Sequence, residues 1–287
     1  MSGSEISIDS LRREIDKLDD AIHDLLMRRT ELAQEVGRLK RRERDGRIFM
    51  RPAREAEVLR HVLDRHRGPF AKSALLRVWR EIMAATLRTQ GPISIAVCAP
   101  MREGAMLDAW DLARDHFGSD TPIEAFTLPR EVVREVMVEE TRIGVVPMPR
   151  PGEPAPWWPE LLALGEERPQ VIARLPFLAP TGEAPGAEPA LVLSQTAFEP
   201  SGRDRSLIAI EGPAGEEAIA EGIGRAGLEA RWLGEAPGAE MPARHLFEVA
   251  GFIAPDDARL ASLSAEAAGS IGTLARLGGF ATLDASA

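Results

Sequence analysis

The sequence predicts a multidomain α + α/β protein with three regions: a helical one over 1–91, an α/β one over 92–198 and a βαββαβ one over 199–287. Within the first region, residues 9–42 carry apolar side chains at a 4-3-4-3 spacing, which is typical of a long helix that pairs with another helix. In the second region, short apolar runs alternate with helical patterns, which indicates an α/β layer. The order of elements in the third region is the ferredoxin-like one.

The composition is that of an ordinary globular protein, with 44% hydrophobic and 28% charged residues in a chain of 287. No apolar run approaches the length of a membrane span, and the first residues, MSGSEISIDS, lack the pattern of a secretory signal. The one cysteine, Cys98, excludes an internal disulfide framework, and the scattered histidines argue against structural zinc. We therefore expect a cytoplasmic protein with no membrane contact.

The charge is distributed unevenly along the chain. Residues 1–90 hold 20 Lys or Arg and 15 Asp or Glu, a net charge of +5, whereas the remainder holds 15 and 30, a net charge of −15. The basic part suggests an anionic partner, which is either a nucleic acid or a small anion. The run KRRERDGR at 40–47 has acidic interruptions and no interleaved aromatic residues, so we expect no nucleic-acid binding.

The helical region is expected to contain three helices. Pro52 suits the first turn of a second helix over 52–66, and a third helix is predicted over 70–89. One long helix and two shorter ones cannot bury so long a heptad seam alone. We therefore expect a homodimer formed through the long helix.

The rest of the chain is read as strands and helices in alternation. The predicted strands of the second region are 93–98, 122–128, 142–148, 170–178 and 190–194, and its helices are 104–117, 130–139 and 159–166. The predicted strands of the third region are 206–212, 228–235, 244–253 and 273–280, and its helices are 213–226 and 255–268.

The one gap in the heptad seam is Arg29. A charged seam residue is costly to bury unless it is paired, although an arginine at a dimer edge can also extend its charge to solvent. Lys40 returns to within about 20° of the same helix face, about 16 Å along the axis, so both cations can reach one small dianion. Arg12 lies roughly 100° away and is better placed to serve a partner's pocket.

Polar residues on the other two helices can complete this anion site. Thr86 and Gln90 continue the apolar stripe of the third helix, so they face inward. The alternatives are a Thr86 hydroxyl bonded to its own backbone and a frayed helix end at Gln90. Glu55 is the carboxylate expected beside the cations, unless it only forms an ion pair with Arg29 or Arg54.

Residues 8–90 resemble a chorismate mutase of the all-helical AroQ class, as fused to the front of bifunctional chorismate mutase–prephenate dehydratases. The long helix, LRREIDKLDDAIHDLLMRRTELAQEVGRLK, is similar to that family's first helix, RPAREAEVL to its second and REIMAATL to its third. The resemblance implies a helix-swapped dimer and these site residues: Arg12 supplied by the partner subunit, Arg29, Lys40, Arg54, Glu55, Thr86 and Gln90.

The resemblance implies the rearrangement of chorismate to prephenate without a metal or cofactor. The arginines and Thr86 would hold the two carboxylates, and Glu55 would hold the hydroxyl. Lys40 and Gln90 would donate to the breaking ether oxygen, where charge develops. Some members have an acidic residue where Arg51 stands, so Arg51 is placed at the mouth of the pocket and Glu55 holds the hydroxyl alone.

Residues 93–287 resemble, more faintly, the prephenate dehydratase and ACT regions of the same fusion. The positions of the expected dehydratase motifs instead read APMREGAM (99–106), PRP (149–151) and EPA (188–190), so we expect a one-lobed, inactive remnant. An ACT-like domain is expected over 199–287, but its effector loops read PAGEEAIA (213–220) and LGEAP (233–237), so the alternatives are binding of an amino-acid effector and a structural role in dimerisation. The alternative to a mutase is a catalytically weak module that senses an amino acid or binds a partner protein.

Overall fold

A computed structural model describes residues 7–43, 50–99, 105–139, 141–177, 188–237, 242–266 and 271–283. Its helices are α1 (Ile8–Glu43), α2 (Pro52–Arg65), α3 (Lys72–Arg88), α4 (Ala105–Phe117), α5 (Pro129–Val138), α6 (Pro159–Ala163), α7 (Glu216–Arg225) and α8 (Ala258–Glu266). Its strands are β1 (Ser94–Cys98), β2 (Ile123–Phe126), β3 (Arg142–Pro147), β4 (Gln170–Leu175), β5 (Ala190–Ser194), β6 (Asp204–Glu211), β7 (Ala230–Ala236), β8 (Arg244–Ala250) and β9 (Thr273–Ala281).

The helical region has the three helices that the sequence predicts. Pro52 occupies the first turn of α2, where its missing N–H costs no helical hydrogen bond. α2 and α3 pack together around Leu59, Leu76 and Met83, and Leu283 from the far end of the chain joins this cluster. α1 contacts α3 through its C-terminal half, and the apolar stripe along α1 is exposed.

The strands form one continuous nine-stranded sheet with the order β2-β1-β3-β5-β4-β9-β6-β8-β7. β1 pairs in parallel with β2 and β3, whereas β5 runs antiparallel between β3 and β4. The last four strands are antiparallel to one another. This confirms an α/β sheet behind the helical region, and the division of the chain at 91 and 198 stays a prediction.

The second and third regions share this one sheet, which their sequences do not predict. They join where β4 and β9 pair in parallel at Val171 and Gly278. A Cβ atom on Gly278 would lie 2.2 Å from the carbonyl oxygen of Val171, and the φ of Gly278 is +104°. Glycine is therefore the residue that permits this approach of two backbones.

Two apolar layers cover the first half of the sheet, and β1 contributes alternately to both. Ile95 and Val97 face α4, whereas Ala96 and Cys98 face α5 together with Trp158. In the second half, α7 and α8 pack on one face of β6 and β8. The α4 face matters most for the site because α3 packs against α4 and brings the helical region to this side of the sheet.

Two kinds of feature are absent from the described part of the chain. No helix within it is both long and apolar enough to cross a membrane. The same residues contain no group of three or more His, Cys, Asp or Glu side chains placed to hold a metal ion.

Cys98 is expected to be inert in the folded protein. Burial in the α5-side core, with smaller contributions from Glu131 and Glu153, raises the pKa of its thiol to about 12. The reactive thiolate is then scarce at pH 8, and the sulfur is also sterically protected. We expect modification by an aromatic disulfide reagent at least about 100-fold slower in buffer than in denaturant. Equal rates would contradict this burial.

Candidate functional site

Arg29 of α1 and Thr86 of α3 meet where these two helices pack. The Nη1 atom of Arg29 donates a hydrogen bond of 2.8 Å to the Thr86 hydroxyl, which in turn donates to the Ile82 carbonyl at 2.6 Å. Thr86 is buried and Arg29 is half-buried, and burial lowers the pKa of the Arg29 guanidinium. The Thr86 hydroxyl therefore makes two contacts: it bonds the backbone of its own helix, and it also accepts a hydrogen bond from Arg29 of α1.

Gln90 lies against α1 one turn beyond this contact. A Cβ atom built on Gly37 would lie 3.1 Å from Cγ of Gln90, so the Gln90 side chain packs on the bare backbone of α1. Gly37 is buried, and its missing side chain leaves room for Gln90. Lys40 lies three residues further along α1, and its side chain is outside the described residues.

Glu55 forms a buried ion pair with Arg80 of α3, a residue that sequence reasoning missed. The Arg80 Nη1 atom lies 2.6 Å from Glu55 Oε2. Burial raises the pKa of the Glu55 carboxyl, and the Arg80 guanidinium opposes that rise. Arg80 lies on the apolar stripe of α3 between Leu76 and Met83. A charged residue at a core position of the helix is the sequence feature that indicates a buried ion pair here.

The other three candidate arginines lie on exposed surfaces and pair with nearby carboxylates. Arg54 contacts Glu57 at 2.8 Å. Arg51 contacts Glu199 of the third region at 3.0 Å. Arg12 lies near the start of α1 with its guanidinium 3.6 Å from Asp9. Within a single chain, Arg29 therefore contacts Thr86 and Gln90 packs against α1. Arg12, Arg51 and Arg54 pair with other carboxylates, away from the Arg29–Thr86 contact.

A small cavity lies beside Glu55, between the helical region and α4. Its volume is about 10 Å³, close to the space that one water molecule needs. The cavity is lined by Met50, Glu55, Arg80, Met83, Ala84, Leu87, Ile93, His116 and Phe117. Three polar side chains in an otherwise apolar lining mark the place where the two parts of the chain meet.

His116 should make the folded state sensitive to acid. Burial, with Arg80 as a second cause, holds the pKa of His116 well below 6.5, so the folded protein keeps the ring neutral. The unfolded chain takes up this proton below about pH 6.5, so the free energy of unfolding should fall as the pH decreases from there. We expect a slope on the order of 1.4 kcal/mol per pH unit, measured by urea unfolding between pH 5 and 7.

His116→Gln should remove this part of the pH dependence, because no titrating ring remains at the buried position. His61→Gln is the matched control, since His61 is exposed on α2. A pH dependence in H116Q as steep as that in H61Q would contradict the assignment.

The arrangement suits binding of a polar anion more than covalent chemistry. A guanidinium and a hydroxyl are hydrogen-bonded where α1 and α3 pack, the Gln90 side chain lies against α1, and a mostly buried carboxylate lies on α2. Such groups orient a ligand and stabilise charge through hydrogen bonds.

Comparisons with known proteins point to one family for the helical region. Residues 11–91 match the family model described as chorismate mutase type II. The bifunctional chorismate mutase/prephenate dehydratase of Stutzerimonas stutzeri is 37% identical over 142 residues, which cover 48% of this chain and 38% of that protein. The Pseudomonas aeruginosa protein of the same description is 37% identical over 145 residues, with the same two shares.

The chain thus spans well under half the length of the curated relatives that it matches. Among solved structures, prephenate dehydratase from Streptococcus mutans aligns with 66% of this chain and 98% of its own, at 12% identity and a TM-score of 0.45.

Proposed function

We propose that this protein, whose residues 11–91 belong to the chorismate mutase type II family, rearranges chorismate to prephenate. The reaction would serve phenylalanine and tyrosine biosynthesis in the cytoplasm. The observation that carries the proposal is the 2.8 Å contact between Arg29 and Thr86, which joins two helices of the matched segment around a half-buried cation. A cation fixed in this way can hold a substrate carboxylate.

The proposed roles follow the chemistry of an intramolecular rearrangement, which requires orientation and charge stabilisation and needs no cofactor. Arg29, Arg54 and Arg12 of the partner subunit bind the two carboxylates, and Thr86 assists one of them. Lys40 and Gln90 donate to the ether oxygen, where their hydrogen bonds strengthen in the transition state. Glu55 accepts a hydrogen bond from the substrate hydroxyl, and Arg51 lies at the pocket mouth.

We further propose a homodimer that buries the apolar stripe of α1. Nine apolar seam residues and Met27 are 47–70% exposed in the single chain: Ile8, Leu11, Ile15, Leu18, Ile22, Leu25, Met27, Leu32, Val36 and Leu39. So long an apolar stripe on one helix is typical of a helix-pairing surface. Pairing of two chains would also bring Arg12 of one to the pocket of the other.

The dehydratase activity is proposed to be absent, because the segments APMREGAM, PRP and EPA stand where the dehydratase motifs are expected.

The third region is proposed to be ACT-like. Its strand order β9-β6-β8-β7, with α7 and α8 on one face, supports this fold. The same region favours a second candidate function, the sensing of an amino acid or partner protein. Calorimetry with phenylalanine and tyrosine tests the amino-acid part, and no heat with either would count against it.

A paired assay on the purified protein tests the proposed activity. Loss of chorismate absorbance with accumulation of prephenate is the expected result. Phenylpyruvate formed without acid treatment would show that dehydratase activity is present. No loss of chorismate would overturn the mutase and favour the binding module.

A further inference from the structure

We propose that Arg80 is a positioning residue that holds the Glu55 carboxylate in the pocket wall, and that Phe177 of the α/β region holds Arg80 in turn. The inference rests on the proposed function, in which Glu55 binds the substrate hydroxyl. It also gives the region behind the mutase helices a role in catalysis that requires no active site of its own.

The first step is the ion pair itself. Its nitrogen and oxygen are 2.6 Å apart, and the side chains of Arg80 and Glu55 are only 7% and 20% exposed. Two charges so far removed from water persist only when each satisfies the other. Within the described residues, Arg80 bonds Oε2 of Glu55, which leaves Oε1 to accept the substrate hydroxyl.

The second step is the support of Arg80 by the α/β region. The Cζ atom of Arg80 lies 4.4 Å from the centre of the Phe177 ring, the geometry of a cation–π contact. Phe177 follows β4, and its ring centre is 6.4 Å from that of His116 on α4. An aromatic surface belonging to the sheet therefore limits where the guanidinium can lie.

The third step is the attachment of α2, which carries Glu55, to the same sheet. Arg60 donates to the carbonyl oxygens of Ser201 at 2.6 Å, Thr282 at 2.7 Å and Arg203 at 2.8 Å. These carbonyls flank β6 and β9, so the helix is fixed to the centre of the third region. Both Glu55 and its partner Arg80 are thus held from the α/β side.

The charges around Glu55 decide how the pair responds to pH. Among the described residues lining its cavity, the ionisable side chains that face Glu55 are Arg80 of α3 and His116 of α4, and burial keeps His116 neutral. On α2 itself, Arg54 and Glu57 pair with each other at the surface. Removing Arg80 therefore removes the cation that opposes desolvation, and the pKa of Glu55 should rise further.

The test compares Arg80→Met with Arg77→Met in the full-length protein. Arg77 lies on the same helix, is exposed and pairs with Asp115 at 3.2 Å. We expect R80M to lower kcat/KM by about 100-fold at pH 7, as a misplaced group does, and to shift the acidic limb of the pH profile upward. R77M should change neither quantity. Arg80→Lys should return the limb toward its original pH, because it restores the charge.

Phe177→Leu provides a second variant that keeps both charges. It should reduce kcat/KM by roughly threefold to thirtyfold through the lost cation–π contact, with a smaller shift of the acidic limb than R80M causes. Equal effects of R80M and R77M, or an R80M loss without a shift of the limb, would overturn the positioning role.

A direct titration of Glu55 separates this inference from the proposed function. Carbon-13 NMR of the side-chain carboxyls, with the Glu55 signal assigned through Glu55→Gln, should show titration at higher pH in R80M than in R77M. An unchanged titration would overturn the inference even in an active mutase. Absence of chorismate turnover in the wild type, together with the expected shift, would overturn the proposed function and leave the Arg80–Glu55 relation established.

Discussion

Arg29→Ala should abolish most of the proposed mutase activity, with kcat/KM reduced by about 100- to 1,000-fold. The guanidinium is held by the Thr86 hydroxyl at 2.8 Å and is half-buried, so it is placed before substrate arrives. Alanine removes the positive charge that would face a substrate carboxylate, and it leaves Thr86 without this partner. Initial rates of chorismate consumption across substrate concentrations measure the loss. Arg29→Lys should give an intermediate rate, because it keeps the charge and loses the planar fork.

Arg28→Ala is the matched control on the same helix. Arg28 is exposed and pairs with Glu31 at 2.8 Å, an arrangement that contributes little. We expect its kcat/KM to stay within about twofold of the wild type. Similar losses in R28A and R29A would mean that the general basic charge of α1, and not the Arg29–Thr86 contact, supports turnover. Unchanged melting curves of both variants would exclude a loss caused by unfolding.

The helices and strands could be predicted because their signals are local. Pro52 begins α2 as expected, and the alternation along β1 places Ile95 and Ala96 on opposite faces. The third region has the βαββαβ order that its sequence indicates. Each of these features depends on neighbours within a few residues.

The join between β4 and β9 could not be predicted, because it pairs Val171 with Gly278, about a hundred residues away. No local pattern specifies such a partner. Gly278 signalled a close approach of backbone, but nothing in the segment LARLGGFA identifies the strand that approaches.

The candidate site shows the same division between local and long-range information. The proximity of Arg29 and Thr86 could be predicted, because Arg29 interrupts the apolar stripe of α1 and Thr86 continues the apolar stripe of α3. The pairing of Glu55 with Arg80 depends on how α2 and α3 are set against each other, which the spacing within either helix does not fix. The resemblance implies Arg54 and Glu55, whereas the only sequence signal for Arg80 is a charge on the buried face of α3.

Ile22→Lys should dissociate the proposed dimer and thereby reduce activity. Ile22 is 56% exposed in the single chain, in the middle of the α1 stripe. In a two-fold symmetric dimer the substitution places two ammonium groups in the seam, one from each subunit. Charges buried there without partners cost roughly 3–5 kcal/mol. That corresponds to a roughly 150- to 5,000-fold weaker association. Sedimentation velocity over a concentration series measures it directly.

His23→Lys adds the same type of charge one residue further along, on the polar side of α1. His23 is exposed beside Asp24, so its replacement should leave both association and turnover unchanged. Because Arg12 is proposed to act in the partner's pocket, the I22K protein should recover rate as its concentration increases and the dimer reforms. A wild-type protein that is monomeric at micromolar concentration, yet fully active, would contradict both the seam and the shared pocket. If I22K instead remains dimeric but has low activity at every concentration, the loss of activity arises within a single subunit and not from dissociation.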